Sequence, residues 1–165
     1  MRRAISAMVG LATALLVASP AVADQPVPMP PDADTLNLGE SSEVLCGDPS
    51  SSPFNFHIYY NSAEAGAYRN IGYSVYDFDA LRPGDGHAYP LTFCRLGVSA
   101  PWPGSGQHIK NNAASADNTH YKYMAWVYFN SGYKGDAGKD SIGPYQHVDQ
   151  FRYVYNQNAS FQWTT

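Results

Sequence analysis

The chain has 165 residues, ten basic and fourteen acidic side chains, a formal net charge of −4 and 44% hydrophobic residues. That length makes about one domain. The lack of any basic run excludes a phosphate-tracking nucleic-acid binder, and the acidic balance disfavours an anionic membrane surface.

Residues 1–23 read as a secretory signal peptide. Arg2 and Arg3 give a positive start, residues 4–18 are small and apolar, and Ala21-Val22-Ala23 is an A-x-A cleavage site. The apolar run is too short for a membrane span, and Pro20 follows it at once. Cleavage removes two of the ten basic residues and none of the fourteen acidic ones, which leaves eight against fourteen and a net charge of −6. The expected product is a secreted, extracellular monomer.

Residues 24–52 form a Pro/Ser/Asp-rich segment. Its start, QPVPMPPDAD, predicts a flexible or extended lead-in. Cys46 and Cys94 are the two cysteines of the chain. In an oxidising compartment the default for such a pair is one disulfide, here closing about 48 residues and contributing about 4 kcal/mol in the chain-entropy account.

Composition changes at residues 53–165. Thirteen Tyr, seven Phe and three Trp are spread through the chain, and from here they fall mainly in short runs, FNFHIYY, IGYSVYDF, YPLTFC, YMAWVYF, FRYVY and SFQW, punctuated by Gly, Asn, Ser and Pro. Many short strands joined by turns make an all-β sandwich or barrel. Brief helical turns are expected only at residues 61–70 and 77–81.

The region repeats itself, with units at about 54–118 and 122–165. Tyr59-Tyr60-Asn61-Ser62 with Gly66 answers Tyr128-Phe129-Asn130-Ser131 with Gly135, each after a β-branched residue, Ile58 or Val127. An Ile-Gly pair follows in each, then an amide-rich phrase: Asn111-Asn112-Ala113-Ala114-Ser115 in the first unit, Asn156-Gln157-Asn158-Ala159-Ser160 in the second. One such unit cannot bury its apolar face alone, and two can, face to face. The first unit is longer by roughly 24 residues, counted from hairpin Gly to amide phrase, and the surplus is expected within residues 79–107.

This arrangement resembles the βγ-crystallin Greek-key motif: an aromatic, four residues, an aromatic, any residue, Gly. Tyr128, Tyr133 and Gly135 match it in full. In the first unit Tyr59 and Gly66 match and Glu64 takes the second aromatic position, so that hairpin either loses its aromatic corner or draws it from Tyr68. The resemblance implies a double Greek-key sandwich with an insertion in the first motif. It also implies a calcium signature after each hairpin, with Asn111, Asn112, Ser115, Asn156, Gln157 and Ser160 as side-chain ligands. All are neutral, so the expected calcium affinity is in the weak range of extracellular modules, and no cofactor is required. The competing reading has Asn and Ser capping an arch through side-chain to backbone bonds.

Among secreted relatives of that fold, the chain looks like the actinobacterial metalloproteinase-inhibitor family. The resemblance implies a non-enzymatic protein that blocks an extracellular metalloprotease with an exposed loop. Leu91, Cys94, Arg95 and Leu96 are its candidate residues, beside the turn-rich RPGDGHAYP; an extra edge strand is the competing reading. A glycan or cell-wall binder, or a killer-toxin-like protein, is the alternative, with Trp102 between two prolines as the ring offered to a sugar. Catalysis has little footing: His57, His87, His108, His120 and His147 are scattered without ligand spacing, and no G-x-S-x-G is present.

Overall fold

The computed structural model describes residues 29–39 and 43–165; the signal-peptide reading and residues 24–28 lie outside them. Seven strands form two antiparallel sheets: β1 (Phe56–Tyr59), β2 (Tyr68–Ile71), β3 (Ser115–Asn118), β4 (Met124–Asn130), β5 (Lys134–Ile142), β6 (Gln146–Val148) and β7 (Ser160–Thr164). The first sheet has the order β2-β1-β3-β6 and the second β5-β4-β7.

Each unit contributes a hairpin and a closing strand to one sheet and sends its third segment to the other. β6 of the second unit pairs with β3, Ala116 opposite Val148. The matching segment of the first unit crosses the other way, where Val75 and Phe161 of β7 exchange hydrogen bonds of 2.7 and 2.9 Å. This reciprocal exchange makes an all-β, βγ-crystallin-like double Greek-key sandwich. The inner faces meet in one apolar core around the parallel-stacked rings of Phe56 and Phe161, 4.0 Å apart.

The symmetry extends to single hydrogen bonds. Ala114 N–H donates to the Tyr59 carbonyl, and Ala159 N–H to that of Tyr128. Phe151 N–H donates to the Ala114 carbonyl, and Phe78 N–H to that of Ala159. Equivalent positions give the size of the insertion: Val75 to Ser115 is 40 residues and Val148 to Ser160 is 12, a difference of 28.

The inserted residues pack on the body. Leu81 bridges Tyr89 and Thr92 bridges His108, while Cys94 N–H reaches the Tyr68 carbonyl at 2.9 Å, along the edge of β2. Leu91 and Phe93 enter the core with no exposure.

Three local expectations change. Residues 61–70 are not helical: Ala63 and Glu64 both take φ 55 and Gly66 φ 78, which bends the chain back into β2. At residues 77–81 only a turn forms, with the Asp77 carboxylate accepting from Asp79 N–H at 2.9 Å. The lead-in expected to be extended, residues 25–34, gives way at its last two residues to α1 (Ala33–Leu38), and the Pro/Ser/Asp-rich segment then carries α2 (Glu43–Cys46) and a 3-10 turn at Pro49–Ser51. It covers the outer face of the first sheet: Asn70 donates to the Val44 and Gly47 carbonyls, and the Tyr68 hydroxyl to Cys46 and Gly47. That cover explains why all four β1 residues are buried, including the outward pair His57 and Tyr59. The Cys46–Cys94 disulfide ties the segment to the insertion. Among the described residues no helix is long and apolar enough to cross a membrane.

Candidate functional site

The amide phrases form two interlocked arches. Asn111 and Asn156 sit at φ 61 and φ 52, a left-handed conformation that Asn tolerates. Asn111 N–H donates to the Asn158 carbonyl and Asn156 N–H to the Ala113 carbonyl, each at 2.9 Å. The Asn158 amide adds bonds to Ala113 N–H and the Ile109 carbonyl. Ser115 donates to the Asn61 carbonyl and accepts from Glu64 N–H; Ser160 does the same with Asn130 and Tyr133.

These residues do not fit a calcium ion. Asn111, Asn156 and Gln157 do line one hollow of about 510 Å³, but no carboxylate lines it, and calcium sites draw on several charged oxygens. Lys110 lies in the same hollow, its ammonium 2.9 Å from Asp77 Oδ1 and 3.2 Å from the Ser131 hydroxyl. Asn112 turns its amide nitrogen to the His108 and Lys110 carbonyls, while Ser115 and Ser160 are buried and engaged with the hairpins.

The four loop candidates separate. Leu91 is wholly buried, and Cys94 is buried and disulfide-bonded. Leu96 is half-buried against the core. Only Arg95 is exposed. Leu91 cannot enter a partner's pocket without leaving the core, because its N–H and carbonyl are both bonded, to Phe78 and Ile109. The insertion is exposed at residues 84–89, within RPGDGHAYP, and again at its tip, residues 98–103, with Val98 fully open.

A different site is built where that exposed tip docks on the first hairpin. Ala67 N–H donates to the Pro103 carbonyl at 2.8 Å. Gly104, at φ +83, lies against the Tyr60 ring, where a Cβ would stand 2.2 Å from it. This docking places Trp102 beside Tyr68, ring centroids 6.4 Å apart, and Tyr68 beside Tyr59 at 5.9 Å. The latter spacing matches Tyr128 to Tyr133 at 6.1 Å, so Tyr68 supplies the aromatic partner that Glu64 displaces from the first hairpin.

The three rings line a groove of about 510 Å³ together with Asp48, Glu64, Asp117 and Thr119. No lysine or arginine lines it. Asp48 Oδ1 accepts from Ser50 N–H and its hydroxyl, which holds the Asp48 carboxyl below its ordinary range. Burial raises the Asp117 carboxyl, against a smaller lowering by His147. The Tyr59 hydroxyl is pushed well up, by burial first and then by Glu64 and Asp117. At the rim His147 lies 3.8 Å from Glu64 and 3.7 Å from Asp149, all three exposed.

Of the groove residues, sequence reading singles out only Trp102 as a binding residue. Asp48, Tyr59, Glu64, Tyr68 and Asp117 come from stretches far apart in the chain, and no local pattern joins them.

No protein-family model matches the chain, and no curated protein matches it. Among solved structures, a chain described as "Evolution of the eye lens beta-gamma-crystallin domain fold" is similar over 68% of this chain and 86% of its own length, with 13% identity and a TM-score of 0.45. The double Greek key follows from the strand order and paired hydrogen bonds given above.

Proposed function

We propose that this protein is an exported, non-enzymatic saccharide-binding protein, with the Trp102–Tyr68–Tyr59 groove as its site. One observation carries the reading: the two elements that break the internal symmetry, the insertion and the N-terminal segment, converge on this groove. The insertion brings an exposed Trp102, and the N-terminal segment brings Asp48. Aromatic faces stack on the apolar faces of sugar rings, and carboxylates and a threonine hydroxyl offer partners for sugar hydroxyls. Trp102 is exposed, with Tyr68 as its ring neighbour among the described residues.

The experiment is a calorimetric titration with soluble oligosaccharides of hexose and N-acetylhexosamine. Saturable binding that Trp102→Ala removes, with the melting temperature kept, supports the reading. No binding to any of them up to millimolar concentration overturns it.

A second reading rests on the loop beyond the disulfide. Cys94 anchors it, Leu96 N–H is held by the Ser105 hydroxyl at 3.0 Å, and Trp102 N–H by the Leu96 carbonyl at 3.1 Å. Such a braced loop with Val98 fully exposed suits insertion into a protease cleft, because little ordering entropy is lost on binding. Inhibition of a metalloprotease at near-stoichiometric concentration, lost in Val98→Asp, tests it. A flat activity curve to large molar excess removes it.

A further inference from the structure

We infer that the groove is selective for an amine-bearing saccharide, a glucosamine-type oligomer with free amino groups. This rests on the saccharide reading above and adds the charge of the ligand. Three carboxylates, Asp48, Glu64 and Asp117, face a groove that no lysine or arginine lines. The basic groups paired with Asp117 across the sheet are imidazoles. His57 is wholly buried, its Nδ1 2.8 Å from Asn70 Oδ1, and burial keeps it neutral. His147 stands outside, between Glu64 and Asp149.

Asp117 is the informative member. It lies on β3 between His57 of β1 and His147 of β6, half-buried, with the Asn118 backbone N–H as the hydrogen-bond donor to its carboxylate among the described residues. A half-buried carboxylate without a hydrogen-bonded cation is held at a cost. A ligand ammonium would relieve that cost while resting against aromatic faces, and rings and carboxylates together form the usual cage for such a cation. Asp48 still has Oδ2 free, because its Ser50 bonds use Oδ1. A neutral sugar satisfies the rings and leaves the charges unanswered. An anionic sugar is repelled.

The test compares glucosamine and N-acetylglucosamine oligomers of equal length by calorimetry on the full chain, at a pH where the free amine is charged. A lysine oligopeptide of matched charge is the third titrant. The expected result is that the free-amine oligomer binds at least about tenfold tighter than the acetylated one, with the advantage shrinking in high salt. Asp117→Asn and Glu64→Gln should each narrow the gap between the free-amine and acetylated oligomers, whereas Trp102→Ala should weaken both sugars and keep the gap. These substitutions change exposed or half-buried polar tips, and circular dichroism confirms that each variant is folded. Equal or tighter binding of the acetylated oligomer overturns the charge assignment and leaves the saccharide reading standing. Failure of both sugars overturns the saccharide reading itself. Binding of the lysine peptide as tight as the amino sugar overturns the sugar assignment in favour of a general polycation site.

Discussion

The Ser115 hydroxyl donates to the Asn61 carbonyl at 2.6 Å and so fixes the bend of the first hairpin from the strand beneath it. Ser160 does the same for the second hairpin through the Asn130 carbonyl at 2.7 Å. Each hydroxyl also accepts a hairpin N–H, from Glu64 or Tyr133. Ser115→Ala therefore strands a part-buried backbone donor and acceptor at once, a loss of about 1–2 kcal/mol. The urea midpoint should fall with the slope unchanged, and Ser160→Ala should match it. A midpoint shift near zero for both would refute the pinning role.

Because those hydroxyls are spoken for and Lys110 lies in the shared hollow, calcium should do nothing. Melting temperatures in millimolar calcium and in chelator should coincide, since only a ligand that prefers the folded state raises them. An upward shift with calcium that Asn111→Ala and Asn156→Ala remove would show that these arches recruit an ion despite the ammonium.

What could be read in the chain followed from how local each signal is. The hairpin repeat is short-range, so Tyr59 to Gly66 and Tyr128 to Gly135 marked both units, and the amide phrases fell at their closing arches. The disulfide needed only a cysteine count. The helices Ala33–Leu38 and Glu43–Cys46 are not legible in the sequence because proline and serine at their flanks read as coil, while what holds the first is tertiary: Asn37 accepts from Gly72 and Tyr73 N–H and is wholly buried. Leu91 was misplaced as a loop anchor because a short apolar run looks the same whether it faces a partner or the core. The groove was invisible apart from Trp102, since it exists only once Asp48, Tyr68 and Asp117 meet.

The disulfide should couple stability to the groove. With a sequence separation of 48 between the cysteines, its loss costs about 4 kcal/mol in the chain-entropy model. The Tyr68 hydroxyl is bonded to the Cys46 and Gly47 carbonyls, next to Asp48. A Cys46→Ala/Cys94→Ala double variant should unfold at much lower denaturant and, while still folded, bind groove ligands more weakly. Unchanged affinity in the folded variant would separate the two effects.

Gly104 sets the approach of the Trp102 tip. It has φ +83 and lies under the Tyr60 ring, whereas Gly84, at φ +95, has nothing within 4 Å of an added Cβ. Gly84→Ala should cost only the left-handed backbone penalty, about 1–2 kcal/mol. Gly104→Ala adds a steric clash worth about 1–3 kcal/mol more and should move Trp102 off Tyr68. Denaturant midpoints of the two variants give the comparison, and equal losses would refute the close-packing account.

His57 makes the fold sensitive to mild acid. Burial holds its imidazole below the ordinary value of 6.5, outweighing the Asn70 bond and the pull of Glu64 and Asp48. Asn70 gives its amide hydrogens to Val44 and Gly47, so its oxygen accepts from His57 Nδ1–H. Below about pH 6.5 the unfolded chain takes up a proton that the folded chain refuses, so unfolding becomes easier as pH falls. His57's contribution is fully present above that pH and is lost as pH drops toward the folded value, with a slope of at most about 1.4 kcal/mol per pH unit. His120, lowered by burial and Lys122, acts in the same direction. Stability curves at a series of pH values should therefore decline from about pH 6.5 to 5, before most carboxylates titrate. His57→Gln should be less stable at pH 7.5 and show a flatter decline; an undiminished slope in that variant would place the titration elsewhere.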